Sequence, residues 1–102
     1  MVFCSGQVAI DPATGKLADG DVEAQTRQVL ENLGSVLRAA GLGHGDVVKT
    51  TIFLLDMNDF GRVNAVYGRY FGRSAPARST VAVAALPLGA KVEIEAIAVR
   101  GM

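Results

Sequence analysis

Residues Pro76 to Arg100 read PARSTVAVAALPLGAKVEIEAIAVR, and the way this stretch pairs decides how the rest of the chain is arranged. Two alternating runs, Arg78 to Ala85 and Lys91 to Val99, flank Leu86-Pro87-Leu88-Gly89, whose proline and glycine are turn formers. Read locally, this is a β-hairpin with two largely buried arms. Alternation places Arg78, Thr80, Ala82 and Ala84 on one face of the first arm, and Glu93, Glu95, Ile97 and Val99 on one face of the second. Arg78 is then the only charge in an apolar strand, paired with a strand that carries two glutamates. A guanidinium can grip a carboxylate through two parallel hydrogen bonds, and a partly buried glutamate can hold a water and exchange protons with it. These charges are a candidate site for binding and hydrolysing a small acid. They are equally a candidate for an ion pair between Arg78 and Glu93 or Glu95 that serves only the sheet.

The chain has 102 residues and suits a single domain, 1–102, able to bury roughly two-thirds of its unfolded surface. Ten basic and ten acidic side chains cancel, so total charge supplies no attraction to a nucleic-acid backbone or an anionic lipid surface. Neither nucleic acid nor membrane is expected as a partner. The longest stretch without charge, Ser79 to Ala90, is shorter than the roughly 20 residues of a membrane helix and contains Pro87. One cysteine, Cys4, allows no intrachain disulfide, and the opening residues have neither a basic leader nor a long apolar run. The cytoplasm is the expected compartment.

Taken in order, Val2 to Ile10 reads as a strand that stops at the turn formers of Asp11 to Lys16. Ser5 and Gly6 interrupt it, which marks a bulge, a close approach of backbone to another group, or a simple kink. Cys4 reads as a small buried apolar side chain, since no histidine nearby in sequence could activate it. From Asp21 to Ala40, Val22, Val29, Leu30, Leu33, Val36 and Leu37 follow helical spacing, with Asp19 or Asp21 as cap and Gly41-Leu42 as the stop. The opposite face, including Glu23, Gln25, Arg27 and Asn32, is expected to be solvated. Val47 to Leu55 is a strand, followed by a helix from about Asp59 to Phe71 whose stripe of Phe60, Val63, Tyr67 and Phe71 reads as core. Asn64 is the polar exception on that stripe.

His44 is the only histidine, and no CxxC or HxxxH spacing occurs, so neither a zinc centre nor a two-histidine ribonuclease within one chain is supported. The glycines match neither a P-loop nor a GxGxxG turn. The element order is strand, helix, strand, helix, strand, strand, an α/β sandwich. Two helices cover one sheet face and leave the other, with Ile97 and Val99, open, so self-association is expected.

SGQVAIDPATGKL, AQTRQVLENLGSVLRAAGL, GDVVKTTIFLLDMNDFGRVNAVYGRYF and PARSTVAVAALPLGAKVEIEAIAVR, in that order, resemble the RidA (YjgF-type) family of reactive enamine and imine deaminases. The resemblance implies a chorismate-mutase-like sandwich, a mixed sheet with two helices on one face. It also implies a homotrimer with ligand sites between subunits, and no metal or organic cofactor. By motif position it assigns Arg78 to the substrate carboxylate and Glu93 to the hydrolytic water. It places Ser5, Gly6, Asn64 and Thr80 around the substrate, Thr80 standing where many members have cysteine. The implied reaction converts 2-aminoacrylate, through 2-iminopropanoate, to pyruvate and ammonia, so the expected ligand is a small 2-imino or 2-oxo acid. A non-catalytic module of the same fold that only binds small carboxylates is the alternative. The family also begins with a GPYSQA-like strand carrying a tyrosine. This sequence starts after that point, so either it is a piece of a longer chain or the sheet has one strand fewer and an exposed edge.

Overall fold

The computed structural model describes residues 1–72 and 75–100. Its elements are β1 (Val2–Gln7), β2 (Ile10–Asp11), β3 (Lys16–Leu17), α1 (Val22–Ala39), β4 (Val47–Leu54), α2 (Phe60–Phe71), β5 (Ala77–Ala82) and β6 (Val92–Ala98). The mixed sheet with two helices holds, but its wiring departs from the local reading. Strand order is β1-β6-β4-β5, with β2 and β3 forming a separate two-stranded ribbon. β6 runs antiparallel to both β1 and β4, and β5 runs parallel to β4.

β5 and β6 therefore do not form the expected hairpin, because β4 lies between them. The cause is α2. It carries the chain back along the sheet, so the strand that follows it docks parallel to β4, as crossover connections require. The other edge of β4 is left for β6. The intervening segment rounds the end of β4, where the Val83 amide donates to the Leu54 carbonyl at 2.9 Å and the Leu55 amide to that of Lys91 at 3.1 Å. The Leu86-to-Gly89 signal becomes a short 3-10 turn in which Leu88 and Gly89 take positive φ. A second expectation fails with the hairpin: β5 is an exposed edge strand, whereas β6 alternates buried and outward residues.

α1 forms as its sequence dictates. The Asp21 side chain accepts from the Ala24 amide at 2.9 Å, which satisfies one of the free amides of the first turn. At the other end Gly41 takes φ 77°, and the Leu42 amide returns to the Leu37 carbonyl at 2.8 Å. Val29, Leu30, Leu33 and Leu37 have no exposed surface. Burying each contributes roughly 1.5–3 kcal/mol. The polar face is less solvated than expected. Gln25 is buried and its Oε1 accepts from the Lys91 amide at 2.9 Å, while Asn32 donates to the Ile10 carbonyl at 2.8 Å. Amide side chains here satisfy backbone groups at the ends of β6 and β2. Two residues assigned to apolar stripes, Val36 and Phe60, are exposed.

The helices cover Cys4, Ile52, Leu54, Val92, Ile94, Ala96 and Ala98. The other face carries Phe3, Phe53, Val81 and Ile97 with no cover from the helices or from any other element among the described residues, and Phe3 is 71% exposed. No helix among the described residues is long and apolar enough to cross a membrane.

Candidate functional site

The expected site residues fall into two groups on opposite faces of the sheet. Arg78 stands beside Thr50 in the β4–β5 register, and Glu93 beside Phe53 in the β4–β6 register. Thr50 and Phe53 are three positions apart on one strand, so their side chains point to opposite faces. Two strand spacings and a three-residue offset separate the Arg78 and Glu93 backbones by about 14 Å. Glu95, in register with Thr51, also faces away from Arg78. The reading in which Arg78 pairs with Glu93 or Glu95 within one chain is therefore overturned: the intervening strand and the pleat keep them apart.

The first group lies on the helix side. The Arg78 guanidinium donates to Asn64 Oδ1 at 2.5 Å and sits 4.9 Å from the Tyr67 ring centroid and 5.5 Å from that of Phe60. Cation–π attraction to two rings and one hydrogen bond thus fix the plane of the guanidinium. Tyr67 is in turn fixed from below, because its phenol shares a 2.7 Å hydrogen bond with the buried Thr50 hydroxyl. Burial pushes the Tyr67 phenol above its ordinary pKa, outweighing the opposite pulls of Thr50 and Arg78. Thr80 projects from the same face as Arg78, and its buried hydroxyl oxygen has no hydrogen-bond partner among the described residues. Asn64, Tyr67, Gly68, Phe71, Pro76 and Arg78 line a cleft of about 420 Å³.

Asn64, Arg78 and Thr80 are thus brought together, and Phe60 and Tyr67 join them. Sequence reasoning had placed both aromatics in the core, which holds for the buried Tyr67 but not for the exposed Phe60, and it did not reveal that both rings lie under Arg78. The signal that could have found them is Asn64 itself: a polar residue four positions after Phe60 and three before Tyr67 marks a helix face turned toward a charge.

The second group lies on the open face. Between Cys4↔Ala96 and Gln7↔Ile94, β1 takes three steps while β6 takes two, so the interruption at Ser5-Gly6 is a bulge. It is also a close approach: a Cβ at Gly6 would stand 2.2 Å from Glu93 Oε2. Ser5, Gly6 and the half-buried Glu93 are therefore neighbours. Ser5 also lines a cleft of about 260 Å³ with Phe3, Lys49, Thr51, Glu95 and Ile97. Burial raises the Cys4 thiol pKa, which disfavours the thiolate a nucleophile needs. His44 lines neither cleft; its Nε2 is 3.0 Å from the Leu30 carbonyl and its ring lies against Tyr70 and against Phe71, which walls the first cleft. No group of three histidine, cysteine, aspartate or glutamate side chains among the described residues could hold a metal ion.

Each half has what the other lacks. One presents an oriented cation beside a cleft, the other a seated carboxylate. Known proteins resemble the chain over nearly its whole length. The family model described as Endoribonuclease L-PSP matches residues 1–100. Protein DfrA of Myxococcus xanthus is 60% identical over 97% of this chain and 76% of its own length. The 2-iminobutanoate/2-iminopropanoate deaminase of Mus musculus is 55% identical over 98% of this chain and 74% of its own. Among solved structures, E. coli TdcF with bound serine superposes with a TM-score of 0.90 at 47% identity, covering 97% of this chain and 80% of that one. The E. coli YjgF gene product gives a TM-score of 0.90 at 51% identity over the same shares. With a match of this extent to sequence model, relatives and structures alike, the chain belongs to the endoribonuclease L-PSP family, in its YjgF/RidA branch of imine deaminases.

Proposed function

We propose that this protein hydrolyses small reactive enamines and imines such as 2-aminoacrylate and 2-iminopropanoate, releasing a 2-oxo acid and ammonia. The proposed active unit is a homotrimer in which the Arg78 half-site of one copy faces the Glu93 half-site of the next. The single observation that carries it is the Arg78 guanidinium held flat by Asn64, Tyr67 and Phe60 beside an open cleft. Among the described residues it donates only to Asn64, so its remaining N–H groups are available to a carboxylate. The close likeness to a mouse deaminase supports the reaction class, and a bound serine in the TdcF structure supports a small carboxylate as ligand.

In this reading the enamine tautomerises to the imine, whose carboxylate is held by Arg78. The imine carbon is electrophilic and needs only a water delivered to it. Glu93 of the neighbouring copy accepts a hydrogen bond from that water and takes its proton as the oxygen adds. Glu93 returns that proton to the imine nitrogen, giving the carbinolamine, and then relays the hydroxyl proton to the same nitrogen as the C–N bond breaks, leaving the 2-oxo acid and ammonia. Fixing acid and water in one geometry replaces the entropic cost of their encounter. Thr80, whose hydroxyl is buried and unpartnered on the same sheet face as Arg78, is the further polar group this reading assigns to the substrate.

The test is pyruvate release from enzymatically generated 2-aminoacrylate. Removing a doubly hydrogen-bonded guanidinium costs about 3 kcal/mol, so Arg78→Ala should lose turnover efficiency by roughly 150-fold with assembly intact. An Arg78→Ala variant at full rate would refute the anchor. Thermal stabilisation by 2-oxo acids without any turnover would point to the non-catalytic binding module instead.

A further inference from the structure

We propose that Gly6 is a positioning residue: by having no side chain it opens the seat in which the Glu93 carboxylate rests, and so sets where that carboxylate holds water. The inference rests on the role given to Glu93 above and concerns how that role is built into the strand.

Glycine is used at several places in this chain because φ is positive, as at Gly15, Gly41 and Gly89. Gly6 is different. Its φ lies outside that region, so alanine could take the same backbone conformation. What alanine lacks there is room. The three atoms nearest an added Cβ all belong to one side chain, Glu93: Oε2 at 2.2 Å, Cδ at 2.8 Å and Cγ at 3.1 Å. The bulge in β1 supplies the same conclusion from the backbone. An extra residue between Cys4 and Gln7 pushes the chain at Ser5-Gly6 out of register with β6. The displaced backbone meets the outward-facing Glu93, and glycine lets the two touch.

A methyl group at position 6 would therefore leave the strand in place and move the carboxylate. Oε2 would have to withdraw by more than an ångström to restore ordinary contact. A displacement of about 1 Å at a reacting group can cost on the order of 100-fold in rate. The substrate anchor, Arg78, is on the other sheet face and is untouched, so the loss should fall on kcat rather than KM.

The experiment compares G6A, E93Q and G6A/E93Q in the pyruvate-release assay, with assembly checked for each. We expect G6A to lower kcat by about 100-fold with KM within about twofold, and G6A to cost nothing further once Glu93 is already Gln. G6A with wild-type kcat beside an inactive E93Q overturns the inference and leaves the role of Glu93 standing. E93Q with wild-type kcat refutes the role of Glu93 and the inference with it. An added loss from G6A in the E93Q background shows Gly6 acting by another route and also overturns it. Should G6A fail to fold, thermal melting of E93A and G6A/E93A decides. Equal Tm supports a clash confined to Glu93, and a lower Tm in the double variant overturns it.

Discussion

If the catalytic pair is divided between copies, two inactive variants should repair each other. Arg78→Ala leaves the Glu93 half-site intact, and Glu93→Gln leaves the Arg78 half-site intact, because the two lie on opposite sheet faces with backbones about 14 Å apart. In a closed ring, each junction takes Arg78 from one copy and Glu93 from the next. When the two variants are mixed in equal amounts, unfolded and refolded together, half of the copies donate a good arginine and half a good glutamate. About one junction in four then carries both. Each variant alone should be reduced by roughly 100-fold or more, so the mixture should recover about 25% of wild-type activity per chain, far above either parent. The assay is pyruvate release after co-refolding, with the same variants mixed without unfolding as a control. A co-refolded mixture no more active than its parents would refute the divided site. It would mean either that both residues serve one chain or that one of them has no part in catalysis.

Other consequences are more local. Thr50→Val removes the partner of the Tyr67 phenol and should cost about 1–3 kcal/mol in urea unfolding, with KM rising as the ring under Arg78 loosens; an unchanged KM would show that the ring does not hold the guanidinium. Gln25→Ala leaves the Lys91 amide unpaired beside the core and should destabilise by a similar amount, where a change below about 0.5 kcal/mol would show water taking over. Leu30→Ala, at a site with no exposed surface, should cost about 2–5 kcal/mol and lower Tm without altering the KM of the remaining folded protein. Both tyrosines of the chain have phenols raised mainly by burial, so the folded state holds their protons more tightly than the unfolded state does. Their contribution to stability is complete below about pH 10 and is lost as pH rises toward the folded values. Tyrosinate absorbance should appear at higher pH in the folded protein than in urea, and coincident curves would contradict it.

What the sequence disclosed was whatever depends on near neighbours. The cap at Asp21 and the stop at Gly41-Leu42 need only a few residues, and both formed as read. Gly6 announced a bulge or a close approach and proved to be both. Strand pairing is another matter. Leu86-Pro87-Leu88-Gly89 is a turn signal between two alternating runs, and nothing within the stretch reveals that β4, from much earlier in the chain, takes the place between them. Parallel docking of β5 is settled by where α2 delivers the chain. The same holds for the aromatics: helical spacing put Phe60 and Tyr67 on one core stripe, as holds for Tyr67, but only tertiary placement shows Phe60 exposed and both rings beneath Arg78. Gln25 and Asn32 were misjudged because an amide side chain looks the same in sequence whether it meets water or a backbone group.

The pairing of β1 with β6 has a consequence for how the protein is made. Val2 lies opposite Ala98, and among the described residues β1 has no other partner in the main sheet. As the chain leaves the ribosome, β1 must wait for both helices, β4 and β5 to be made before β6 can reach it. α1, α2 and the β4–β5 pair can assemble during synthesis, but the seat for Glu93 appears only when β6 reaches β1. Until then Phe3 and the free edge of β4 are exposed to other nascent chains. Glu93 is thus put in position by the closing step of folding, and a chain stalled before it would hold the Arg78 cluster without a seated Glu93.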